Sequence, residues 1–428
     1  MRPRARERSS QLASPLRERR APQQAHARRH RPDYWLIALC ALLLSIGLVV
    51  VYAISPALSE STHVSNNYYV SKQLVAISLS VVAFLITSRM PLGRWKDFRK
   101  PLLIVAAAAT LLALLMPVNP HYPAHRWVRL GNLSFQSVEL LKFAVLIWLA
   151  GLLSVRMANG TINDSKTFKP LLIALALIGG VVAGVQSDLG STGVMLMMMG
   201  AMVFVAGLPL KRVLLIGAVV LLGTTIAIAS TPYRRERLQT FLHPAENCQT
   251  SGYQACQALI AVGSGGLIGL GLGSSVQAYG YLPEAANDSI FAIYAEKFGF
   301  LGSIILLLIF GALFARIASI AERAPDNFSR LLVVGILSWF SIQTLINVGA
   351  MIGLLPLKGI TLPFISYGGT SVVFVAAAVG IVFQISHYTA LSAPRVPNDN
   401  DRRGYEDSRH GRRFRGAYHP DLSGRSRA

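Results

Sequence analysis

Charge is what this chain has least of. Only 14% of its 428 residues are Asp, Glu, Lys or Arg, against about 25% in a soluble domain. Acids are scarcer than bases, 20 against 41. With 53% hydrophobic residues and a mean hydropathy of +0.47, the composition excludes a soluble globular protein. It predicts one continuous multi-span membrane body instead. Cysteine is also rare, three in all, and Cys40 falls in the first apolar run, where it should be inert. Glycine is plentiful, yet Gly269-Leu-Gly271-Leu-Gly273 lacks the GxGxxG spacing and precedes no strand–helix unit. That argues against a dinucleotide site. A signal-peptide cleavage pattern is absent too, the first apolar stretch being a full-length span behind a long charged arm.

The net charge of +21 sits largely in two tails. Residues 1–32 hold ten arginines against two acids, and residues 393–428 hold nine against five. Both are rich in Arg, Pro and Ser and lack apolar periodicity, so they are expected to be disordered. A basic arm beside a membrane span reads as attraction to anionic lipid, not to nucleic acid.

Between the tails, the body at 33–392 is expected to be all-α and integral to the membrane. About ten spans are predicted at 35–55, 69–88, 101–118, 136–155, 170–186, 189–208, 213–230, 289–315, 331–354 and 370–391. The fifth is short, and the fifth–sixth pair could be a re-entrant hairpin instead. The connections at 89–100, 156–169, 209–212 and 316–330 are basic and share a face with both tails, whereas 56–68 has no Lys or Arg. The positive-inside rule therefore makes both termini cytoplasmic. The long connection between spans seven and eight, 231–288, is then extracytoplasmic. It is read as an ordered cap on the membrane surface.

Four polar clusters converge on the extracytoplasmic face. These are Arg126-Trp127 with Gln136 and Glu139, then Asp188, then Glu284 and Asp288, then Lys358. Arg234, Arg235 and Arg237 break the charge bias on the same side. Cations at an apolar mouth suit a pyrophosphate or another anionic lipid head group. A carboxylate among them suits general-base activation of a hydroxyl. Each has a plainer reading. Glu139 and Lys142 fit a helix-face ion pair, and Asp188 and Asp288 each fit a helix N-cap. Glu296 and Lys297 fit packing as well as catalysis. Cys248 and Cys256 share the long loop, where an oxidising compartment permits a disulfide.

These residues resemble the SEDS family (shape, elongation, division and sporulation) over about 33–392. Arg126-Trp127 with Gln136, Glu139 and Lys142 is similar to its RRW…QPSE…K segment, and Asp188-Leu-Gly to its PDLG turn. Gln254 and Gln257 with the glycines at 265–273 are similar to its glutamine–glycine run. Leu282-Pro-Glu284…Asp288…Ile290-Phe-Ala292…Glu296 is similar to LPE…D…IFA…E. Leu355-Pro…Lys358-Gly and 362–369 resemble the signature near the last span. Departures occur at Ser137-Val138, Ala286-Asn287 and Lys297.

The resemblance implies an inverting peptidoglycan glycosyltransferase that polymerises lipid II, an undecaprenyl-pyrophosphate-linked glycan, outside a bacterial inner membrane. It implies Asp288 as the catalytic acid, with Arg126, Trp127, Gln136, Glu139, Asp188, Arg234, Arg235, Arg237, Gln254, Gln257, Glu284 and Lys358 as substrate-binding candidates. It also implies a class B penicillin-binding transpeptidase as partner, alongside other divisome membrane proteins and membrane lipid. No metal site is firmly expected, although a divalent cation, Mg or Mn, could share the pyrophosphate charge. Lys358-Gly and the 233–237 basic run resemble the division member more than the elongation member, which places the chain at the septum. An elongation-type polymerase and a lipid II flippase remain the alternatives.

Overall fold

The computed structural model describes residues 27–29, 31–116, 127–130, 133–229, 232–243, 248–250 and 252–390. The tail assignments at 1–26 and 391–428 lie outside the described residues. Ala27–Arg29 (β1), counted with the tail by composition, instead pairs antiparallel with Tyr388–Ala390 (β4).

Helices form at all ten expected positions. They are Tyr34–Thr62 (α1), Tyr68–Arg89 (α2), Leu92–Leu115 (α3), Ser137–Ala158 (α4), Ser165–Leu177 (α5), Leu189–Val205 (α6), Leu210–Ala229 (α7), Ile290–Arg323 (α10), Asn327–Met351 (α11) and Gly369–Ile385 (α12). Among the described residues, seven helices are long and apolar enough to cross a membrane, while α6 and α12 are shorter apolar helices. The fifth segment reaches spanning length, since α5 continues through a π-helical stretch, Ile178–Val185. Glycines at 179, 180 and 184 keep that stretch free of crowding side chains. A hairpin of Trp127–Leu130 (β2) and Leu133–Gln136 (β3), read from sequence only as part of a loop, leads into α4.

Burial separates inner from outer helices. α4 and α11 are buried over most of their length, as helices at the centre of a bundle must be. α2 and α3 instead leave Val75, Leu79, Ile104 and Leu111 exposed, the pattern of helices that turn one flank to lipid. α4 and α6 pack on α11, and α12 packs on α2.

One end of the bundle carries the basic connections. There Arg316 pairs with Asp33, Asp33 N–H donates to Ser386, and Lys96 pairs with Asp326 at 3.0 Å. At Asp326 burial opposes ionisation, but hydrogen bonds from Ser329 and Lys96 and the ammonium charge outweigh it and hold the carboxyl below its ordinary value. The connections bearing the polar candidates lie at the other end. Those between α7 and α10 include two short helices, Pro232–Leu242 (α8) and Tyr253–Ser264 (α9). Cys248 and Cys256 are bonded, with Cα atoms 5.5 Å apart.

Candidate active site

Two loops build the site. Residues 281–289 enter α10, and residues 352–368 join α11 to α12. They are stitched together by backbone and hydroxyl contacts. Tyr367 N–H donates to the Ala286 carbonyl at 2.8 Å, and Ser366 Oγ donates to the Asn287 carbonyl at 2.7 Å while accepting from Leu362 N. Asn347, on the buried face of α11, donates through Nδ2 to the carbonyls of Asp288 and Ile360, both at 2.7 Å. The second loop reaches far into the bundle, since a Cβ added at Gly47 of α1 would lie 2.7 Å from the Ile365 carbonyl. Burial pushes the Tyr367 hydroxyl up to about 12, with Tyr68 and Tyr69 adding to the effect, so it stays a neutral donor.

The N-cap readings separate here. The N-cap position of α10 is taken by Ser289, one residue after the half-buried Asp288, and Ser289 makes no side-chain capping hydrogen bond. Asp188 does cap α6, its Oδ1 accepting from Ser191 N at 3.0 Å. The cap still borders the site, because a Cβ at Gly190 would lie 2.8 Å from Ile360 and 3.3 Å from Lys358 Cβ. Asp188, Lys358 and Asp288 are therefore on elements that touch one another through Ile360 and Asn347.

Glu139 takes the ion-pair geometry. Its Oε1 lies 2.8 Å from Lys142 Nζ, and both side chains are almost fully buried. Lys142 also donates to Gln343 Oε1 at 3.2 Å, which accepts from Trp339 at 2.7 Å. Gln343 Nε2 in turn donates to the Thr361 carbonyl at 2.8 Å, so the buried pair is tied to the second loop. Among the described residues Glu139 Oε2 has no hydrogen-bond partner.

The other candidates are placed as follows. Trp127 pairs with Gln136 in the β2–β3 hairpin, and Gln136 N–H donates to Thr370 Oγ1 at 3.3 Å. Gln254 donates to Ser289 Oγ at 3.2 Å, and Gln257 is half-buried on the same helix, α9. Glu284 is exposed at φ +51°, its carbonyl accepting from Asn287 and Ser289 in the turn before α10. Arg235 is exposed on α8. Arg126 lies outside the described residues, as do the side chains of Arg234 and Arg237. Among the described residues no group of three or more His, Cys, Asp or Glu side chains is gathered for a metal ion.

Glu296 serves packing. Its carboxylate accepts from Ser275 Oγ, Val276 N and Gln277 N, and the Lys297 ammonium donates to the Leu272 carbonyl. Sequence reading missed Gln343 and Asn347. Their signal was two neutral amides four residues apart within an apolar span, which places both on one face.

The sequence profile of the FtsW/RodA/SpoVE family, described as cell cycle proteins, matches residues 34–391. The chain belongs to this family. Stage V sporulation protein E of Bacillus subtilis is 36% identical over 359 residues, covering 84% of this chain and 98% of that protein. The probable peptidoglycan glycosyltransferase FtsW of Saccharophagus degradans is also 36% identical, over 83% of this chain and 92% of that one. A structure described as coordinating polymerisation and crosslinking in a peptidoglycan synthase complex matches with TM-score 0.69 and 26% identity, over 83% of this chain and 97% of that chain. The rod shape determining protein RodA of Thermus thermophilus shares the fold, with TM-score 0.61 at 24% identity over 83% of this chain and 96% of that one. The fold is that of these SEDS membrane proteins, with FtsW the member this chain most resembles.

Proposed function

We propose that Asp288 is the general base with which this FtsW-like peptidoglycan glycosyltransferase joins lipid II units. The acceptor's 4-hydroxyl attacks the anomeric carbon of the donor sugar, its proton passing to the Asp288 carboxylate. The bond from that carbon to the lipid pyrophosphate breaks, and the pyrophosphate departs with the electron pair. Attack opposite the leaving group inverts the α-linked donor to a β-linked product without a covalent glycosyl-enzyme.

The observation that carries the reading is the clamp on the Asp288 backbone. Asn347 of α11 and Ser366 and Tyr367 of the second loop hold residues 286–288 by three hydrogen bonds. A carboxylate fixed within a fraction of an ångström can meet a hydroxyl at the right angle. Lys358, Arg126 and the arginines of α8 are the cations proposed to take up charge on the leaving pyrophosphate. A divalent cation, Mg or Mn, would share that charge if one binds. No step is assigned to it.

A class B penicillin-binding transpeptidase is the proposed partner, matching the synthase complex whose fold this chain shares. The septum is the proposed place of work, with both termini cytoplasmic. The test is the purified chain with its transpeptidase, given labelled lipid II: glycan strands from the native protein and none from Asp288→Asn support the assignment. Strands of normal length from Asp288→Asn would overturn it.

A further inference from the structure

The chain from residue 247 to 283, which includes α9, is unusual for one outside the membrane. Thirty-seven consecutive residues, 247–283, contain no Asp, Glu, Lys, Arg or His. An aqueous loop of that length would carry about nine charges at the usual frequency. Leu267 and Ile268 are 69% and 79% exposed, with Leu270 and Leu272 exposed beside them.

Much of the backbone of this segment is paired inside the protein, where water would not require it. α10 breaks at Gly299, which adopts φ +67°, and the break frees the N–H groups of Phe300 and Leu301. These donate to the carbonyls of Gly266 and Leu267 at 2.8 and 3.0 Å. In the other direction Leu270 N and Gly271 N donate to the carbonyls of Glu296 and Lys297 at 2.9 and 3.0 Å. The Leu272 carbonyl receives the Lys297 ammonium. Irregular backbone survives in hydrocarbon only when its polar groups are paired inside the protein.

Position gives the same answer. Arg316, paired with Asp33 at the head of α1, marks the aqueous boundary at the basic end. From Arg316 up to Phe300 is sixteen helical residues, about 24 Å. The hydrocarbon core is about 30 Å thick. The Gly266–Leu267 backbone, hydrogen-bonded at the level of Phe300 and Leu301, thus falls several ångströms inside the far edge. Any helix tilt deepens it. The exposed side chains there also continue the apolar flank of α10, formed by Phe300, Leu301, Ile305 and Leu308.

We propose that residues 266–272 form a wedge inserted into the acyl region of the leaflet on the side of the active site. Its occupant is bilayer hydrocarbon. Leu267, Ile268, Leu270 and Leu272 supply the apolar surface, and the exposed Tyr279 and Tyr281 sit where amphipathic rings favour the head-group level. Through Glu296, which gathers Ser275, Val276 and Gln277, the wedge is tied to the chain that leads into Asp288.

The test uses the full chain in lipid nanodiscs without a partner protein. Cys40 is replaced by Ser, and one spin label is placed by Ile268→Cys, Leu272→Cys, Leu308→Cys or Gln239→Cys. Leu308 is the lipid-facing control on α10, and Gln239, exposed on α8, is the aqueous control. Power saturation is measured with oxygen, which concentrates in hydrocarbon, and with a water-soluble nickel chelate. The wedge requires labels at 268 and 272 to match 308, with an oxygen-to-nickel ratio several-fold above that at 239. Ratios matching 239 would place the segment in water and overturn the proposal. Low access to both reagents would mean that protein covers the surface, and would overturn it equally.

Discussion

Asn347 holds Asp288 from behind, its Nδ2 donating to the Asp288 main-chain carbonyl at 2.7 Å. The second hydrogen of the same amide goes to Ile360, so one side chain joins both loops of the site. Asn347→Ala leaves two buried carbonyls without a donor, at a cost of about 1–3 kcal/mol. Thermal unfolding in detergent should register that loss, and polymerisation should fall further than folded fraction alone explains. Unchanged turnover at equal folded fraction would show that the clamp does not position Asp288.

Asp288→Asn and Asp288→Ala should each lower glycan polymerisation by about two to four orders of magnitude, the range a general base supplies. Neither should change expression or capture of the transpeptidase. Ser289, not Asp288, occupies the N-cap position of α10, so loss of the carboxylate should leave the helix start in place. Stability of the variants, read by thermal unfolding, separates the chemical role from a structural one.

The Glu139–Lys142 pair makes a different prediction. Both side chains are buried, so Lys142→Met alone strands a carboxylate and should cost about 3–5 kcal/mol. Glu139→Leu with Lys142→Met removes both charges and should return most of that stability. Polymerisation should stay low in the double variant, because Glu139 is a substrate-binding candidate whose Oε2 is left without a hydrogen-bond partner among the described residues. Full recovery of activity with stability would reduce the pair to a structural role.

How far the sequence revealed all this depends on the kind of signal. Spans were legible because lipid demands long apolar runs, and helices formed where those runs fell. Asp288 and Lys358 stood out as candidates because charge beside an apolar run is costly, and the family resemblance singled out Asp288. Gln343 and Asn347 carry no charge and leave the hydropathy of α11 high, so the residues that knit the site were hidden. Asp188 and Asp288 looked alike as cap candidates; in the structure Asp188 takes the N-cap of α6 and accepts from Ser191 N, whereas the N-cap position of α10 falls to Ser289. The β2–β3 hairpin was missed because four-residue strands show too little alternation to read.

The glycine run supplies the last prediction. Gly269 and Gly263 look equivalent in sequence, six residues apart in one glycine-dense stretch. Gly269 adopts φ +84°, and a Cβ there would lie 2.2 Å from the Lys297 carbonyl, whereas a Cβ at Gly263 meets nothing within 4 Å. Gly269→Ala must therefore both strain the backbone and push the segment off α10, breaking the contacts of Leu270 and Gly271 with Glu296 and Lys297. Strain alone costs about 1–3 kcal/mol, and the lost pairing adds to it. Gly263→Ala sits on α9 and should be neutral or slightly stabilising, since alanine is the better helix former. Thermal unfolding of the two variants in the same detergent decides the matter. Equal stability would mean that the segment is not packed against α10 as described, and the wedge would lose its anchor.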